Sequence, residues 1–231
     1  MQQSSIAIDG PAGAGKSTVA KRVAAKLQLL YVDTGAMYRA ITWKIMQHQI
    51  QVTDVSRIHD LVQHTVVRLQ NHNGMQNVFV DEHDVTKQIR SPEITSHVSA
   101  IAKIPEVRYR LVELQRLMAE QESVVMDGRD IGTYVLPHAA VKIFLTASIA
   151  ERAKRRYEEL TRQGYQVNLL EIQTDLEKRD KMDRERELAP LRQAEDAHLI
   201  DTTGKSIDQV IEDILSLYQK WIALRGGQAT K

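Results

Sequence analysis

Gly10-Pro11-Ala12-Gly13-Ala14-Gly15-Lys16-Ser17, followed by Thr18, is the stretch that decides the fold. Glycine stands first and sixth, lysine seventh and serine eighth, the pattern of a loop that wraps phosphate with backbone N–H groups at a helix N-terminus. Its context agrees: Ile6, Ala7 and Ile8 form a short apolar run before it, and Val19, Val23 and Leu27 recur at helical spacing after it. In such a loop residues 10–18 cradle a triphosphate, Lys16 reaches the β- and γ-phosphates and the Ser17 hydroxyl ligates Mg²⁺. A plain glycine-rich turn has no need of the Lys-Ser pair that closes this one.

Working outward, Tyr31 and Val32 form a second apolar pair that meets Asp33-Thr34-Gly35, and a helix over 36–48 carries Tyr38, Ile41, Trp43 and Ile45. This βαβα opening predicts an α/β protein with a mostly parallel sheet. After a helical stretch at 55–64 the period falls to two. Val66-Val67-Arg68-Leu69 and Val78-Phe79-Val80 flank Asn71-His72-Asn73-Gly74, which predicts a hairpin continued by Asp84-Val85-Thr86. Residues 64–104 read as a small subdomain inserted into the α/β unit. Ser91-Pro92 and Pro105 open two further helices, the second running to about 122. Val124-Val125-Met126, Val141-Lys142-Ile143-Phe144-Leu145 and His198-Leu199-Ile200 bring the core strands to five. Ser148, with Glu151 three residues on, and Ser206 are candidate helix caps, and Ile207, Val210, Ile211, Ile214 and Leu217 give the last helix its apolar face. Residues 226–231 are expected to fray.

Composition narrows the function. The 231 residues are 42% apolar and 26% charged with a net charge of +1, so no global field favours polynucleotides or anionic lipid, and neither partner is expected. The absence of cysteine removes disulfides, thiolate nucleophiles and cysteine-ligated metals. The first residues show no basic leader and no 18-residue apolar window follows, so the cytoplasm is the expected location. No heptad run is long enough for a coiled coil, and a monomer is expected. Residues 151–187 hold ten basic and ten acidic side chains, either two solvated, salt-bridged helices or the wall of a site.

The loop alone fits a GTPase, an ATPase motor or a small-molecule kinase. No Asn-Lys-x-Asp guanine loop is present. Instead Arg39, Arg108, Arg129, Arg155, Arg179 and Arg186 fall near predicted strand ends and helix faces, a distribution suited to two anionic substrates. A phosphate acceptor is already ionised near neutral pH, so no general base is required. The eight histidines show no metal-like spacing and none is assigned to catalysis. Asp127, at the end of a strand, can hold a Mg²⁺-bound water or orient Lys16.

Three further blocks, Tyr31-Val32-Asp33-Thr34-Gly35-Ala36-Met37-Tyr38-Arg39, Asp127-Gly128-Arg129-Asp130-Ile131-Gly132-Thr133 and Arg179-Asp180-Lys181-Met182-Asp183-Arg184, follow the loop in this order. With them the chain resembles, over essentially its whole length, the bacterial cytidylate kinases of the nucleoside monophosphate kinase family. The resemblance implies a three-layer α/β phosphate-loop kinase fold in one domain over 1–231. Its parts would be a five-stranded parallel core sheet, a CMP-binding insert at 64–104 with antiparallel strands, and a short lid at 155–165. It implies phosphoryl transfer from ATP, with Mg²⁺, to CMP and dCMP and more weakly to UMP. It also implies roles. Asp33 and Thr34 lie beside the acceptor, Arg39 and Arg129 bind its phosphate, and Ser99, Arg108 and Asp130 read cytosine. Arg179 and Asp183 reach the ribose, Arg186 closes on the transferring phosphoryl group, and Lys16, Arg129 and Arg186 are the catalytic cations. Arg155 would face the donor phosphates.

Each role has a plainer alternative. Arg39 can be a surface residue, Arg108 can pair with Glu106 or Glu113, and Ser99 can satisfy a backbone carbonyl inside its helix. Arg179, Asp183 and Arg186 stand at i, i+4 and i+7 and so share a helical face, solvated or functional. The competing functions are a kinase for another small acceptor such as UMP or AMP, and a polynucleotide-stimulated ATPase, which the near-neutral charge disfavours.

Overall fold

The computed structural model describes residues 4–72 and 75–226. In chain order it contains β1 (Ser5–Asp9), α1 (Lys16–Leu27), β2 (Leu30–Asp33), α2 (Thr34–Gln47), α3 (Val55–Gln63), β3 (Val67–His72), β4 (Met75–Val80) and β5 (His83–Asp84). There follow α4 (Pro92–Ile101), α5 (Pro105–Gln121), β6 (Val124–Gly128), β7 (Val141–Thr146), α6 (Ile149–Arg162), α7 (Leu169–Glu185), β8 (His198–Asp201) and α8 (Ile207–Gly226). A 3-10 turn at Gln88–Arg90 and one π-helical turn at Ile131–Val135 complete the chain.

The five strands expected from their apolar runs form one parallel sheet in the order β2-β6-β1-β7-β8. Parallel strands joined by crossover helices are covered on both faces, which is why they read as continuous apolar runs rather than as alternations. Ala7, Val32, Val124 and Met126 turn to one face and pack with α2, α3 and α5, while Ile6, Ile8, Val125, Ile143 and Leu145 turn to the other and meet α1 and α8. Each fully buried aliphatic side chain of this kind contributes about 1.5–3 kcal/mol. Among the described residues no helix is long and apolar enough to cross a membrane.

The expected hairpin is β3 and β4, paired antiparallel from Val67 opposite Val80 to His72 opposite Met75. The expected turn at Asn73 and Gly74 lies outside the described residues, as does the expected tail beyond Gly226. Two details differ from the sequence expectation. Val66 stands outside the strand and exposed, its N–H bonded to Asp81 Oδ1 at 2.9 Å, and β5 is only two residues long, although the buried Val85 after it still donates its N–H to the Val78 carbonyl at 2.9 Å. The hairpin carries no core of its own: Val67, Val78 and Val80 join the apolar cluster of α2, α4 and α5 that covers the main sheet.

The helix caps follow the local sequence. Ser91 Oγ accepts from Ile94 N–H ahead of Pro92, Ser148 Oγ accepts from Glu151 N–H, and Ser206 and Gln209 form a closed capping box. The last bond of β1 reaches much further. Asp9 is buried, and its carboxyl accepts from Ile131 N–H at 2.8 Å and Gly132 N–H at 2.7 Å, tying the π turn after β6 to the base of the phosphate loop. Burial pushes the Asp9 carboxyl up to about 7, against the pull of those two N–H groups. The folded state therefore keeps a proton that an unfolded aspartate loses near pH 4, so Asp9 subtracts from stability progressively as pH rises from about 4 to about 7. We expect the melting temperature of Asp9→Asn relative to the parent to be higher at pH 8 than at pH 5, by the equivalent of about 1–3 kcal/mol, in circular dichroism melts at both pH values.

Candidate active site

A cleft of about 960 Å³ opens at the carboxyl ends of the strands, between the phosphate loop, α4, α6, α7 and the start of α8. Of the residues singled out from sequence, Ala12, Gly13, Ala14, Gly15, Lys16, Ser17, Thr18, Asp33, Thr34, Arg39, Ser99, Arg129, Asp130, Arg155, Arg179, Asp183 and Arg186 line it. Gly10, Pro11 and Arg108 do not.

Gly10 serves the loop from behind. Its φ is 149°, and a Cβ there would lie 2.0 Å from the Leu145 carbonyl oxygen, so only glycine lets the chain leave β1 against β7. Gly15, at φ 88°, is the N-cap of α1 and provides no side-chain cap, so the first N–H groups of that helix face the cleft ready for an anion. Lys16 is buried and donates to the Pro11 carbonyl at 2.8 Å. Burial and the neighbouring Arg129 press its ammonium well below the usual lysine range, a shift that bound polyphosphate would reverse.

Ser17 Oγ donates to Asp127 Oδ2 at 2.8 Å, Tyr31 OH donates to Oδ1 at 2.9 Å, and Thr34 Oγ1 donates to the Asp127 carbonyl at 2.7 Å. Burial and the nearby Asp33 raise the Asp127 carboxyl above the ordinary aspartate range. A hydroxyl and one raised carboxylate beside a phosphate loop suit Mg²⁺, which keeps most of its water and shares one or two protein oxygens with substrate phosphates. Asp33 itself caps α2 by accepting from Ala36 N–H at 2.8 Å, and its other oxygen lies 3.5 Å from Arg39 Nη2.

Cations crowd the cleft around Asp183. Arg129 Nε donates to Asp183 Oδ2 at 2.8 Å. Burial alone would raise Asp183, but Arg129 and Arg179 beside it hold its carboxyl below the usual range. Burial and then the repulsion of Arg129 lower Arg179 to about 10. The Nε atoms of Arg39 and Arg179 are buried without a hydrogen-bond partner among the described residues. Unsatisfied buried donors and mutual repulsion both call for an anion at this point.

Arg108, expected to read the base, is fully buried and does not line the cleft; it lies 5.5 Å from the Tyr38 ring centroid and is bonded to the Ala102 carbonyl, with its Nε unpaired among the described residues. Its partner is neither Glu106 nor Glu113 but Asp130, whose other oxygen accepts from Arg186 Nη2 at 3.0 Å. The shared helical face of Arg179, Asp183 and Arg186 is also incomplete. Helix α7 ends at Glu185, Arg186 is extended, and its Nε turns back to the Ala189 carbonyl at 2.7 Å.

Neither reading of the charged segment holds throughout: Arg152, Asp180, Asp183 and Arg186 are buried, while Lys181 and Glu185 are solvated. Arg155 bonds Glu151 at 2.9 Å and reaches Thr202 through both terminal nitrogens, so it crosses from α6 to the turn after β8. Ser99, on α4, is buried and lines the cleft.

A phosphate loop facing an arginine cluster across one cleft defines a phosphotransferase of the phosphate-loop kinase class. The chain belongs to the cytidylate kinase family, whose model, described as "Cytidylate kinase", matches residues 6–220. A cytidylate kinase of Desulfitobacterium hafniense (strain Y51) is 55% identical over 213 residues, covering 92% of this chain and 91% of that one. The cytidylate kinase of Bacillus subtilis (strain 168) is 52% identical over 216 residues, 94% and 96% of the two chains. At the level of fold alone, the solved structure of a gluconokinase from Sinorhizobium meliloti 1021 superposes with a TM-score of 0.51 at 14% identity, covering 97% of each chain.

Removing the shared carboxylate would leave the guanidinium groups of Arg108 and Arg186 buried and uncompensated. Asp130→Ala is accordingly expected to lose about 3–5 kcal/mol in urea unfolding, whereas deleting the exposed Arg22–Asp208 pair should change little.

Proposed function

We propose that the protein transfers the γ-phosphoryl group of ATP to CMP and dCMP, forming CDP or dCDP and ADP. The observation that carries this reading is the convergence, in one cleft of a cytidylate kinase family member, of an anion-ready loop and unsatisfied arginine donors. One anionic chain is gripped at each end, and the reacting phosphates meet between them.

In this reading Lys16 and the N–H groups of residues 13–18 hold the donor phosphates, and Ser17, with Asp127 behind it, is the place where Mg²⁺ would be held. That ion, when bound, neutralises charge shared by the β- and γ-phosphates. Arg39 and Arg129 hold the acceptor phosphate, already anionic and needing no base. Arg179 and Asp183 flank its sugar, and Arg186 stabilises the charge that spreads over the moving group. Ser99 and Asp130 face the base. Each Asp130 oxygen still has a lone pair beyond the one its arginine uses, enough to accept from the C4 amino group of cytosine, which uracil lacks. Arg108 acts by holding Asp130 rather than by touching the base. Residues 64–104 supply the acceptor side and 155–165 the donor cover. All these residues come from one copy of the chain, so a monomer suffices.

A coupled ADP-release assay with ATP and a panel of CMP, dCMP, UMP, AMP and GMP tests the reading. CMP and dCMP should be the efficient acceptors and UMP a weaker one; equal turnover across the panel would defeat it. Lys16→Met keeps side-chain volume but removes the charge, and kcat should fall about 10²–10³-fold. Because burial works against that charge in the free protein, the melting temperature should not fall.

A further inference from the structure

Arg152 and Asp180 are buried, and neither belongs to the roles assigned above. They grip one residue of the phosphate loop from both sides of its peptide. Asp180 Oδ1 accepts from Ala12 N–H at 3.3 Å, and Arg152 Nη1 donates to the Ala12 carbonyl at 2.9 Å. The two side chains are themselves paired, Arg152 Nη1 to Asp180 Oδ2 at 2.7 Å, and Arg152 Nε is fixed on the Ala147 carbonyl at 3.1 Å. The packing repeats the hydrogen bonds. Ala12 joins an apolar cluster with residues of α6 and α7, and a Cβ on Gly13 would lie 3.1 Å from the Arg152 Cβ.

Asp180 sits on the same turn of α7 as Arg179 and Asp183, which face the acceptor end, where Asp183 holds Arg129. One helical turn thus holds the donor loop by one carboxylate and the acceptor cluster by another. Transfer between two phosphates requires donor and acceptor oxygens in line at close contact, and a displacement of about 1 Å can lower the rate about a hundredfold.

We propose that Arg152 and Asp180 are positioning residues that lock the phosphate loop to α7 and so set the register between donor and acceptor phosphates. The proposal rests on the kinase reading above. A pair of this kind affects the transition state more than the binding of either nucleotide.

The test uses the conservative variants Arg152→Lys and Asp180→Asn and their combination, at a temperature below each melting transition. In each single variant kcat should fall roughly tenfold to a hundredfold, while KM for CMP stays within about threefold. The double variant should lose no more than the worse single one, because both side chains hold the same residue. The fraction of ATP hydrolysed without CMP phosphorylation should rise. A purely structural pair would lower the melting temperature and leave kcat near that of the parent, and that result, or losses that multiply in the double variant, would overturn the proposal. Hydrogen exchange at the Ala12 amide of the parent protein is a check that needs no variant: strong protection is expected, and exchange at the rate of an open loop would also overturn it. A parent enzyme without CMP-dependent ADP release would instead count against the kinase reading itself.

Discussion

Positive charge buried ahead of its anion is the constraint on which the rest of this structure depends. Lys16, Arg129 and Arg179 repel one another in a medium of low dielectric, and each would leave for solvent if nothing held it. Carboxylates hold the arrangement. Asp130 takes Arg108 and Arg186, Asp183 takes Arg129, and Asp180 takes Arg152. These pairs contribute little net stability, since desolvation offsets most of their attraction, but breaking one strands a charge. Their value lies in geometry: beside them the Nε donors of Arg39 and Arg179 stay unsatisfied among the described residues, at the place proposed for the acceptor phosphate.

The parallel sheet makes that arrangement possible. Strands β1, β2 and β6 end side by side, so Asp9, Asp33 and Asp127 arrive together with the loops that follow them. Gly128 shows how tightly those ends meet, since a Cβ there would stand 2.6 Å from Ile131 and 2.7 Å from the Thr34 hydroxyl. That close approach lets Thr34 reach the Asp127 carbonyl, and the next residue, Arg129, reaches Asp183. Binding at the carboxyl edge of an open α/β sheet is general, because the loops there are free of sheet bonding and the helices that follow present their N-termini.

On the proposed reading, specificity and positioning are layered behind the surface that substrates meet. Asp130 faces the cleft, but Arg108 behind it, fixed on Ala102 and Tyr38, decides where that carboxylate points. Arg152 and Asp180 stand in the same relation to Ala12. The charged stretch from 151 to 187 is therefore two populations: exposed pairs such as Lys181–Glu185 that keep the helices in water, and buried ones that set the site.

The amino-acid sequence by itself determined the phosphate loop, the five parallel strands, the hairpin and the serine caps. Each of these rests on residues within a few positions of one another, and short-range chemistry leaves a readable spacing. It also carried the blocks around Asp33, Arg129 and Asp183 in which the family is recognised. Only the tertiary structure decided which charges are buried and with whom. Arg108 meets Asp130 across 22 positions, Arg152 meets Asp180 across 28, and Asp9 reaches Ile131 across 122. An arginine on a helix looks the same in sequence whether it faces water or a carboxylate on another element. The difference arises only when the strands have brought those elements together and excluded the water between them.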